Sequence, residues 1–243
     1  MKSFKFKDHE FQISLDGILL WIEKKIAIIS DLHLEKGSSY ASTGQLIPPY
    51  DSLETLNNLI KNLEKNKVSK LIFLGDTFHD DQASERMSHE TALLFKRLIK
   101  TYKVIFIRGN HDNQLSIDGV VCCEKYVLDG IHFIHEASKE NISQVSGHFH
   151  PVASLKVNSK KITAKCLVHS ENLIILPSAT YSGRTPNTCE RRLLGGRGES
   201  KATVDTRYRP GFYPLPSKSQ SARARARFEH RDARSRQPPR AVA

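Results

Sequence analysis

One stretch of the chain indicates the fold more clearly than any other: Ile26-Ala27-Ile28-Ile29-Ser30-Asp31-Leu32-His33. It begins with four apolar residues, a pattern typical of a strand that is buried on both faces. It ends with a carboxylate and an imidazole, and side chains at the end of a buried strand are held by a rigid part of the fold. The stretch therefore predicts a strand that presents functional groups at its carboxyl end.

The same arrangement recurs four times further along the chain. Apolar runs precede Gly75-Asp76, Gly109-Asn110-His111-Asp112, His135 and Gly147-His148-Phe149-His150. The pairs Asp31/His33 and His148/His150 are spaced by two residues, and in extended backbone this spacing directs both side chains to one side of the sheet. We therefore expect the five segments to gather enough ligands for two metal ions.

Helical patterns separate the first three of these strands. Residues 52–65 and 88–102 carry leucines at helical spacing, with Leu93, Leu94 and Leu98 expected to face inward in the second helix. The resulting β-α-β-α-β order places the functional loops at the carboxyl ends of the strands. Asp16-Gly17 predicts a hairpin turn before them, and short strands beyond residue 120 predict a second sheet. The predicted fold class is α/β, a two-sheet β-sandwich flanked by helices.

The basic charge of the chain is concentrated in its C-terminal quarter. Residues 1–183 hold 22 Lys+Arg and 21 Asp+Glu, whereas residues 184–243 hold 15 and 5. The type of cation changes at the same point, from 19 Lys and 3 Arg before it to 2 Lys and 13 Arg after it. We predict one folded domain over residues 1–183 and an Arg-rich, disordered tail of different compositional origin over residues 184–243.

The tail allows two interpretations. Its run Ala222-Arg223-Ala224-Arg225-Ala226-Arg227-Phe228 either binds nucleic acid through phosphate groups or is a solvated extension without function. No apolar stretch is long enough for a membrane span, and the first residues are polar, so we expect a cytoplasmic protein with no membrane partner. The cysteines lack C-x-x-C spacing, which favours structural thiols in a reducing compartment.

The ligand types limit the metals that the site would bind. Carboxylates, imidazoles and an amide oxygen, without a thiolate, suit two open sites for Mn²⁺, Fe²⁺ or Zn²⁺ rather than a closed structural zinc site. Two such ions, about 3.5–4 Å apart, clamp a phosphate and activate a bridging hydroxide for in-line attack on phosphorus. The pattern therefore predicts a dinuclear enzyme that hydrolyses phosphate esters.

Taken in order, the motifs D-x-H, G-D, G-N-H-D, a lone His and G-H-x-H resemble those of the calcineurin-like metallophosphoesterase superfamily, over about residues 11–183. The resemblance implies that one metal is bound by Asp31, His33 and His150, that the other is bound by Asn110, His135 and His148, and that Asp76 bridges both. It also implies that His111 is the general acid or stabilises the transition state, and that Asp112 orients His111.

A closer resemblance is to the ligase-associated DNA damage response endonuclease family, PdeM-type. It rests on the segments Asp31–Gly37, Pro48–Asp51, Leu74–His79 and Leu176-Pro177. It implies a manganese-dependent phosphodiesterase, a nuclease of bacterial DNA repair, with a nucleic acid substrate and an association with a DNA ligase or helicase. His79 stands where many superfamily members have Asp, which suggests that it supports the ligands from behind. The pattern ends after Gly183, and a sheet edge is left exposed if the usual end of the family closes the sheet.

Several residues near the motifs have two interpretations. His132 is an alternative to His135, but only His135 ends its strand. Arg108 either binds substrate phosphate or forms an ordinary salt bridge. Lys36 and Tyr40, in a predicted polar loop over residues 35–50, either meet a phosphate or base or belong to a plain loop.

Two functions other than phosphodiester hydrolysis also stay open. The same metal centre would serve a phosphatase or pyrophosphatase that acts on a nucleotide or a lipid-linked diphosphate. A non-catalytic scaffold with the same fold is the other alternative. Such scaffolds lose ligands or the counterpart of His111, and this chain retains all of them.

Overall fold

The computed structural model describes residues 1–41, 51–114, 116–157, 160–180, 202–203 and 226–227. Within them, a seven-stranded sheet packs helices on one face and a five-stranded sheet on the other. The predicted α/β sandwich of two sheets with helices is therefore confirmed. The predicted disorder of residues 184–243 lies outside the described residues, apart from two short strands.

The larger sheet follows the order of the chain. Its strands are β1 (Lys2–Phe6), β2 (His9–Ile13), β3 (Leu19–Trp21), β4 (Ile26–Ile29), β5 (Lys70–Leu74), β6 (Lys103–Ile107) and β7 (Val121–Cys123). Strands β4 to β7 run parallel to one another. The carboxyl ends of β4, β5 and β6 therefore lie at one edge, where three of the five motifs begin.

The structure describes four helices, and three of them bury side chains in the core on the outer face of this sheet. The four are α1 (Lys36–Ala41), α2 (Asp51–Lys65), α3 (Ala83–Arg86) and α4 (His89–Thr101). Helix α2 buries Leu56, Leu59 and Leu63 against the sheet. Helix α4 begins at the cap Ser88, whose Oγ accepts a hydrogen bond from the Thr91 N–H at 3.1 Å. Both helices occur where the sequence predicts them.

The second sheet delivers the two remaining motifs to the same region. It has the order β13-β14-β10-β9-β8, and its strands are β8 (Lys125–Leu128), β9 (Ile131–Ile134), β10 (Gln144–Ser146), β13 (Val168–His169) and β14 (Leu173–Ile175). Strand β10 runs parallel to both β9 and β14. His135 follows β9, and the segment of residues 147–150 follows β10.

A third sheet extends away from this segment. It contains β11 (Val152–Val157) and β12 (Lys160–Lys165), with β15 (Ala202–Thr203) and β16 (Ala226–Arg227) paired antiparallel to β11. The backbone of two short tail segments therefore pairs with the strand that begins two residues after His150.

Each buried strand of the larger sheet contributes to two separate cores. Alternate residues of a strand point to opposite faces, so Leu71 and Phe73 pack against the helices while Ile72 and Leu74 face the second sheet. The core between the sheets also contains Phe133. Burial on both faces explains why these strands are continuous apolar runs in the sequence.

The structure differs from the sequence-based expectations at several elements. Helix α1 occupies the start of the predicted polar loop over residues 35–50, of which residues 42–50 lie outside the described part. Strand β7 joins the larger sheet, not the second one, because it pairs with β6. Leu93 is 54% exposed, and Thr91, Phe95 and Leu98 form the buried face of α4 instead.

Some local features were predicted correctly and others were missed. The Asp16-Gly17 turn is present, with the Ser14 N–H donating to the Ile18 carbonyl oxygen at 2.9 Å and Gly17 at a φ of +81°. Strands β1, β8 and β13 carry no strong pattern and were not predicted.

Among the helices of the described residues, none is both long and apolar enough to cross a bilayer.

Candidate metal centre

The predicted ligands lie just beyond the strand ends, in backbone of an unexpected conformation. Asp31, His33, Asp76, His148 and His150 have φ values of +53°, +46°, +47°, +68° and +44°. The prediction that extended backbone aligns the i, i+2 pairs is therefore wrong. Each residue in this left-handed region costs about 1–3 kcal/mol, and such strain clusters at sites where the surrounding structure imposes it.

The first group of candidate ligands consists of Asp31, His33 and His150. The His150 Nε2 lies 3.2 Å from the Asp31 Oδ1 and 3.3 Å from the His33 Nε2. Asp31 is completely buried and His33 is nearly so. This group joins the end of β4 to the segment after β10.

The second group consists of Asp76, His135 and His148, and Asn110 lies among them. The Asn110 Oδ1 is 2.9 Å from the His135 Nε2 and 3.0 Å from the His148 Nδ1. The His135 Nε2 and the His148 Nδ1 are 3.2 Å apart. His148 and His150 therefore belong to different groups, although they share one short segment.

Asp76 lies between the two groups. Its Oδ1 is 3.5 Å from the His135 Nε2 of the second group, and its Oδ2 is 3.9 Å from the His33 Nε2 of the first group. The side chain is only 3% exposed. Each oxygen of one carboxylate thus faces a different set of ligands, which is the position that a bridging ligand requires.

The spacing of these atoms fits divalent ions. Donor atoms held about 2.1 Å from one ion lie about 3.0–3.4 Å from their neighbours in octahedral or tetrahedral geometry. The separations within the two groups, from 2.9 to 3.5 Å, fall at or close to this range. In the first group, two imidazole nitrogens face each other and a carboxylate, so a shared cation would satisfy all three.

The protonation states of His33, Asp31 and Asp76 also suit metal binding. Burial lowers the pKa of His33 to about 3, so this imidazole is neutral and can donate a lone pair at neutral pH. Burial acts to raise the pKa of Asp31, but His150, His135 and Ser30 together outweigh burial and lower that pKa. The pKa of Asp76 is likewise lowered, because His135, the His111 N–H and His33 together outweigh the effect of burial. Both carboxylates are therefore ionised.

His135 is oriented by the backbone of the neighbouring strand. Its Nδ1 lies 2.7 Å from the Leu74 carbonyl oxygen and donates to it, so the Nε2 faces Asp76 and Asn110. A ligand histidine held by a carbonyl in this way is the usual arrangement at metal sites. Burial acts to lower the pKa of His135, but the Asp76 carboxylate raises it to about 9. The alternative, His132, lies on the face of β9 opposite to the buried Ile131 and Phe133, and it joins neither group.

His111 faces the centre from the exposed side. Its Nδ1 lies 2.7 Å from the His79 carbonyl oxygen, which fixes the ring and leaves the Nε2 at 3.9 Å from the Asp76 Oδ2. The side chain is 38% exposed, so an incoming substrate can reach it. The His79 ring stacks on the His111 ring with centroids 5.3 Å apart. His79 therefore packs directly against His111.

Asp112 acts on the backbone and not on the His111 ring. Its carboxylate oxygens accept hydrogen bonds from the N–H groups of Asp76, Thr77, Phe78 and Gly109, at 2.8–3.3 Å. The expectation that Asp112 orients His111 is corrected, because the His79 carbonyl oxygen forms that hydrogen bond. Burial raises the pKa of Asp112. Its role is to join the Asp76 loop to the Asn110 loop.

Two residues that sequence reasoning missed hold the Asp31 loop. The Ser178 Oγ donates to the Asp31 carbonyl oxygen at 2.7 Å, and the Thr180 Oγ1 lies 2.8 Å from the carbonyl oxygens of Asp31 and Leu32. The Asp31 carboxylate also receives the His148 N–H at 3.0 Å. A cluster of Ser and Thr after the last strand was the only signal in the sequence, and such residues are common in ordinary turns.

The absence of a side chain at Gly147 permits this packing. A Cβ at this position would overlap the Ser30 Oγ and lie 2.6 Å from the Asp31 Oδ2. The segment after β10 can therefore approach Asp31 closely only because residue 147 is glycine.

The two predicted substrate contacts lie in different surroundings. The Arg108 Nη1 is 3.2 Å from the Glu124 Oε1, so Arg108 forms the ordinary salt bridge that was the alternative interpretation. Lys36 is half-buried at the start of α1, and its charge contributes to the lowered pKa of His79, after the larger effects of burial and of His111. Of these two residues, Lys36 therefore remains a candidate for substrate contact.

Comparisons with known proteins agree with this geometry. The family model described as calcineurin-like phosphoesterase matches residues 24–179, which include every candidate ligand. The fold is similar to the crystal structure of the nuclease MPE from Pseudomonas putida, with a TM-score of 0.60, 24% sequence identity, and coverage of 74% of this chain and 87% of that one. No protein of curated function matches the sequence. The predicted enzyme class, a metal-dependent phosphoesterase, is confirmed at the level of the family: the chain belongs to the calcineurin-like phosphoesterases.

Proposed function

We propose that the protein is a dinuclear-metal phosphodiesterase that cleaves nucleic acid, with DNA repair in the bacterial cytoplasm as its setting. The observation that carries the proposal is the position of Asp76, whose two oxygens face two separate ligand groups. The likeness in fold to a nuclease supports a nucleic acid substrate. The sequence resemblance to the DNA damage response endonucleases supports the same substrate and extends it to a ligase or helicase partner.

We assign one ion to Asp31, His33 and His150, and the other to Asn110, His135 and His148. Asp76 is shared between them. When bound, two divalent ions neutralise phosphate charge and lower the pKa of a coordinated water. The absence of thiolate and the presence of Asn110 favour Mn²⁺, with Fe²⁺ or Zn²⁺ as alternatives.

The residues of the chain supply orientation and proton transfer. His111 presents its Nε2 to the open side of the centre because its Nδ1 is bonded to the His79 carbonyl oxygen. From there it can donate a hydrogen bond to a phosphoryl oxygen or a proton to the leaving oxygen. Asp112 keeps the Asp76 and Asn110 loops at a fixed separation, so that both ligand groups stay preorganised.

The test compares three substrates with Mn²⁺: single-stranded DNA, a bis-aryl phosphate and a mono-aryl phosphate. A nuclease of this kind cleaves the DNA and the bis-ester and acts poorly on the mono-ester. Preference for the mono-ester or for a nucleotide diphosphate would instead indicate the phosphatase or pyrophosphatase alternative. A purified protein that retains no metal by elemental analysis after incubation with Mn²⁺ would support the scaffold.

A further inference from the structure

Helix α1 presents a cation and an aromatic ring to one side of the metal centre. Lys36 and Tyr40 are four residues apart, which places them on the same face of the helix. The Tyr40 ring lies 5.5 Å from the His79 ring. The face that carries both side chains is therefore directed at His79.

From this face, a series of rings leads to the candidate ligands. Tyr40 is tilted by 37° against His79, His79 stacks on His111 at 5.3 Å, and His111 meets His33 edge to face at 5.0 Å. Tyr40 is half-buried and His111 is partly exposed. Aromatic surface therefore extends sideways from the centre, beyond the residues that bind metal or phosphate.

Helix α1 is fixed in this position by its neighbours. The Arg86 Nε donates to the Ser38 Oγ at 3.3 Å, and the Arg86 Nη2 pairs with the Asp80 carboxylate at 2.6 Å. On the other side, the Gly37 N–H donates to the Asp51 Oδ2 at 3.1 Å. A face held between α2 and α3 in this way is preorganised for binding, so that little entropy is lost when a ligand is ordered on it.

A small phosphate ester does not need such a surface, because its phosphate is already bound at the metal centre. A nucleic acid strand carries bases and further phosphates on both sides of the scissile bond. Bases stack on aromatic side chains and phosphates pair with lysine. The pair Lys36 and Tyr40 offers both contacts at one side of the centre.

We propose that Lys36 and Tyr40 form the subsite for the nucleoside next to the scissile phosphodiester, with Tyr40 against the base and Lys36 at the adjoining phosphate. The inference rests on the proposed nuclease function and adds to it the residues that distinguish a nucleic acid strand from a small phosphate ester. It also gives a function to helix α1, which stands at the start of the predicted loop.

The first experiment measures kcat/KM of the full chain with Mn²⁺, on single-stranded DNA and on bis-p-nitrophenyl phosphate. For Tyr40→Leu, we expect the ratio of kcat/KM on DNA to kcat/KM on the bis-ester to fall about tenfold, which is within the range for loss of one base stack. Tyr40→Phe should retain the wild-type ratio. Equal loss on both substrates would show that Tyr40 only supports His79, and would overturn the subsite.

The second experiment removes the base from the DNA rather than the ring from the protein. Two oligonucleotides carry an abasic residue on either side of a single cleavable phosphodiester. On one of the two oligonucleotides, the wild-type protein should lose about as much kcat/KM as the Tyr40→Leu variant loses on intact DNA. On that same oligonucleotide, the Tyr40→Leu variant should lose no further activity compared with its own value on intact DNA. Additive losses for both oligonucleotides would contradict a contact between Tyr40 and either base.

The third experiment tests Lys36 by salt dependence. Lys36→Gln should reduce the slope of log kcat/KM for DNA against log salt by about 0.7, the value for one phosphate of a single strand. Lys61→Gln, an exposed lysine of α2, is the matched control and should keep the wild-type slope. Equal slopes for both variants would remove Lys36 from the subsite.

Failure of the subsite can be distinguished from failure of the proposed function. If wild type hydrolyses the bis-ester and cleaves no DNA, the nuclease function and the subsite are both wrong. If wild type cleaves DNA, and Tyr40→Leu has the same ratio of kcat/KM on DNA to kcat/KM on the bis-ester, only the subsite is wrong.

Discussion

At the scale of single residues, Asp76 is the residue that we propose to be shared between two ions. We predict that Asp76→Asn lowers Mn²⁺ affinity and bis-ester hydrolysis by more than about 100-fold, because changes behind the ligands alone cost 10- to 100-fold. Bound metal after equilibrium dialysis, measured by elemental analysis, checks the affinity. Asp118→Asn, at an exposed position, is the control. Full metal content in Asp76→Asn would contradict the bridging position.

His111 and Asp112 are neighbours with separate roles. We predict that His111→Ala lowers hydrolysis by about 100-fold or more, as expected for a proton donor, and leaves the unfolding midpoint unchanged. Asp112→Asn turns an NH₂ group towards buried backbone N–H groups, so we expect it to lower the free energy of unfolding by about 2 kcal/mol. Denaturant titration and rate measurements on both variants separate the roles. A fully stable Asp112→Asn protein would show that the loop hydrogen bonds contribute little.

His135 gives the metal-free protein a characteristic pH dependence. Its pKa is raised from 6.5 to about 9 in the folded state, so the stability that its proton contributes is fully present below pH 6.5 and is lost as the pH rises through about 9. We predict that the melting temperature of the metal-free protein falls over this interval, and that His135→Gln reduces the fall. Thermal melts in chelator at several pH values test this. If the melting temperature of His135→Gln fell as much as that of wild type, the pH dependence would belong to other groups.

At the scale of elements, much of the parallel core was predictable and the conformation of the loops was not. Strands such as β5 are buried on both faces, so their apolar runs are distinctive in the sequence. Short or half-exposed strands such as β8 and β13 carry no such pattern and were missed. The left-handed φ of Asp31 and His148 depends on contacts between distant segments, which local sequence does not encode. The candidate ligands could be named from the sequence because their types and order are chemically specific.

The segment after β14 is an element whose role only the structure reveals. Since Ser178 and Thr180 hold the carbonyl oxygens of Asp31 and Leu32, we predict that Thr180→Val lowers Mn²⁺ affinity by about tenfold, as for other groups behind metal ligands. Thr180→Ser should restore it. Thr101→Val, which removes a hydroxyl from the end of α4, is the matched control. Calorimetric titration with Mn²⁺ measures the effect, and equal affinity in Thr180→Val and wild type would exclude a role for this hydroxyl.

At the scale of the whole molecule, the groups of the candidate centre that the structure describes lie within residues 1–180, and most of the excess positive charge of the sequence lies beyond them. We therefore predict that a chain ending at Gly183 keeps its Mn²⁺ content and its bis-ester hydrolysis within about threefold of the full chain, as expected when a tail is removed outside the core. Its stability should fall slightly, since β15 and β16 no longer cover the edge of β11.

A chain ending at Pro177 is the informative comparison for this truncation. It lacks Ser178 and Thr180, so the Asp31 loop loses its hydroxyl donors, and we expect metal binding to weaken sharply even if the two sheets still form. Metal content, bis-ester hydrolysis and circular dichroism of the three chains separate these effects. Loss of DNA cleavage in the chain ending at Gly183, with bis-ester hydrolysis retained, would show that the Arg-rich tail binds the substrate and is not an incidental extension.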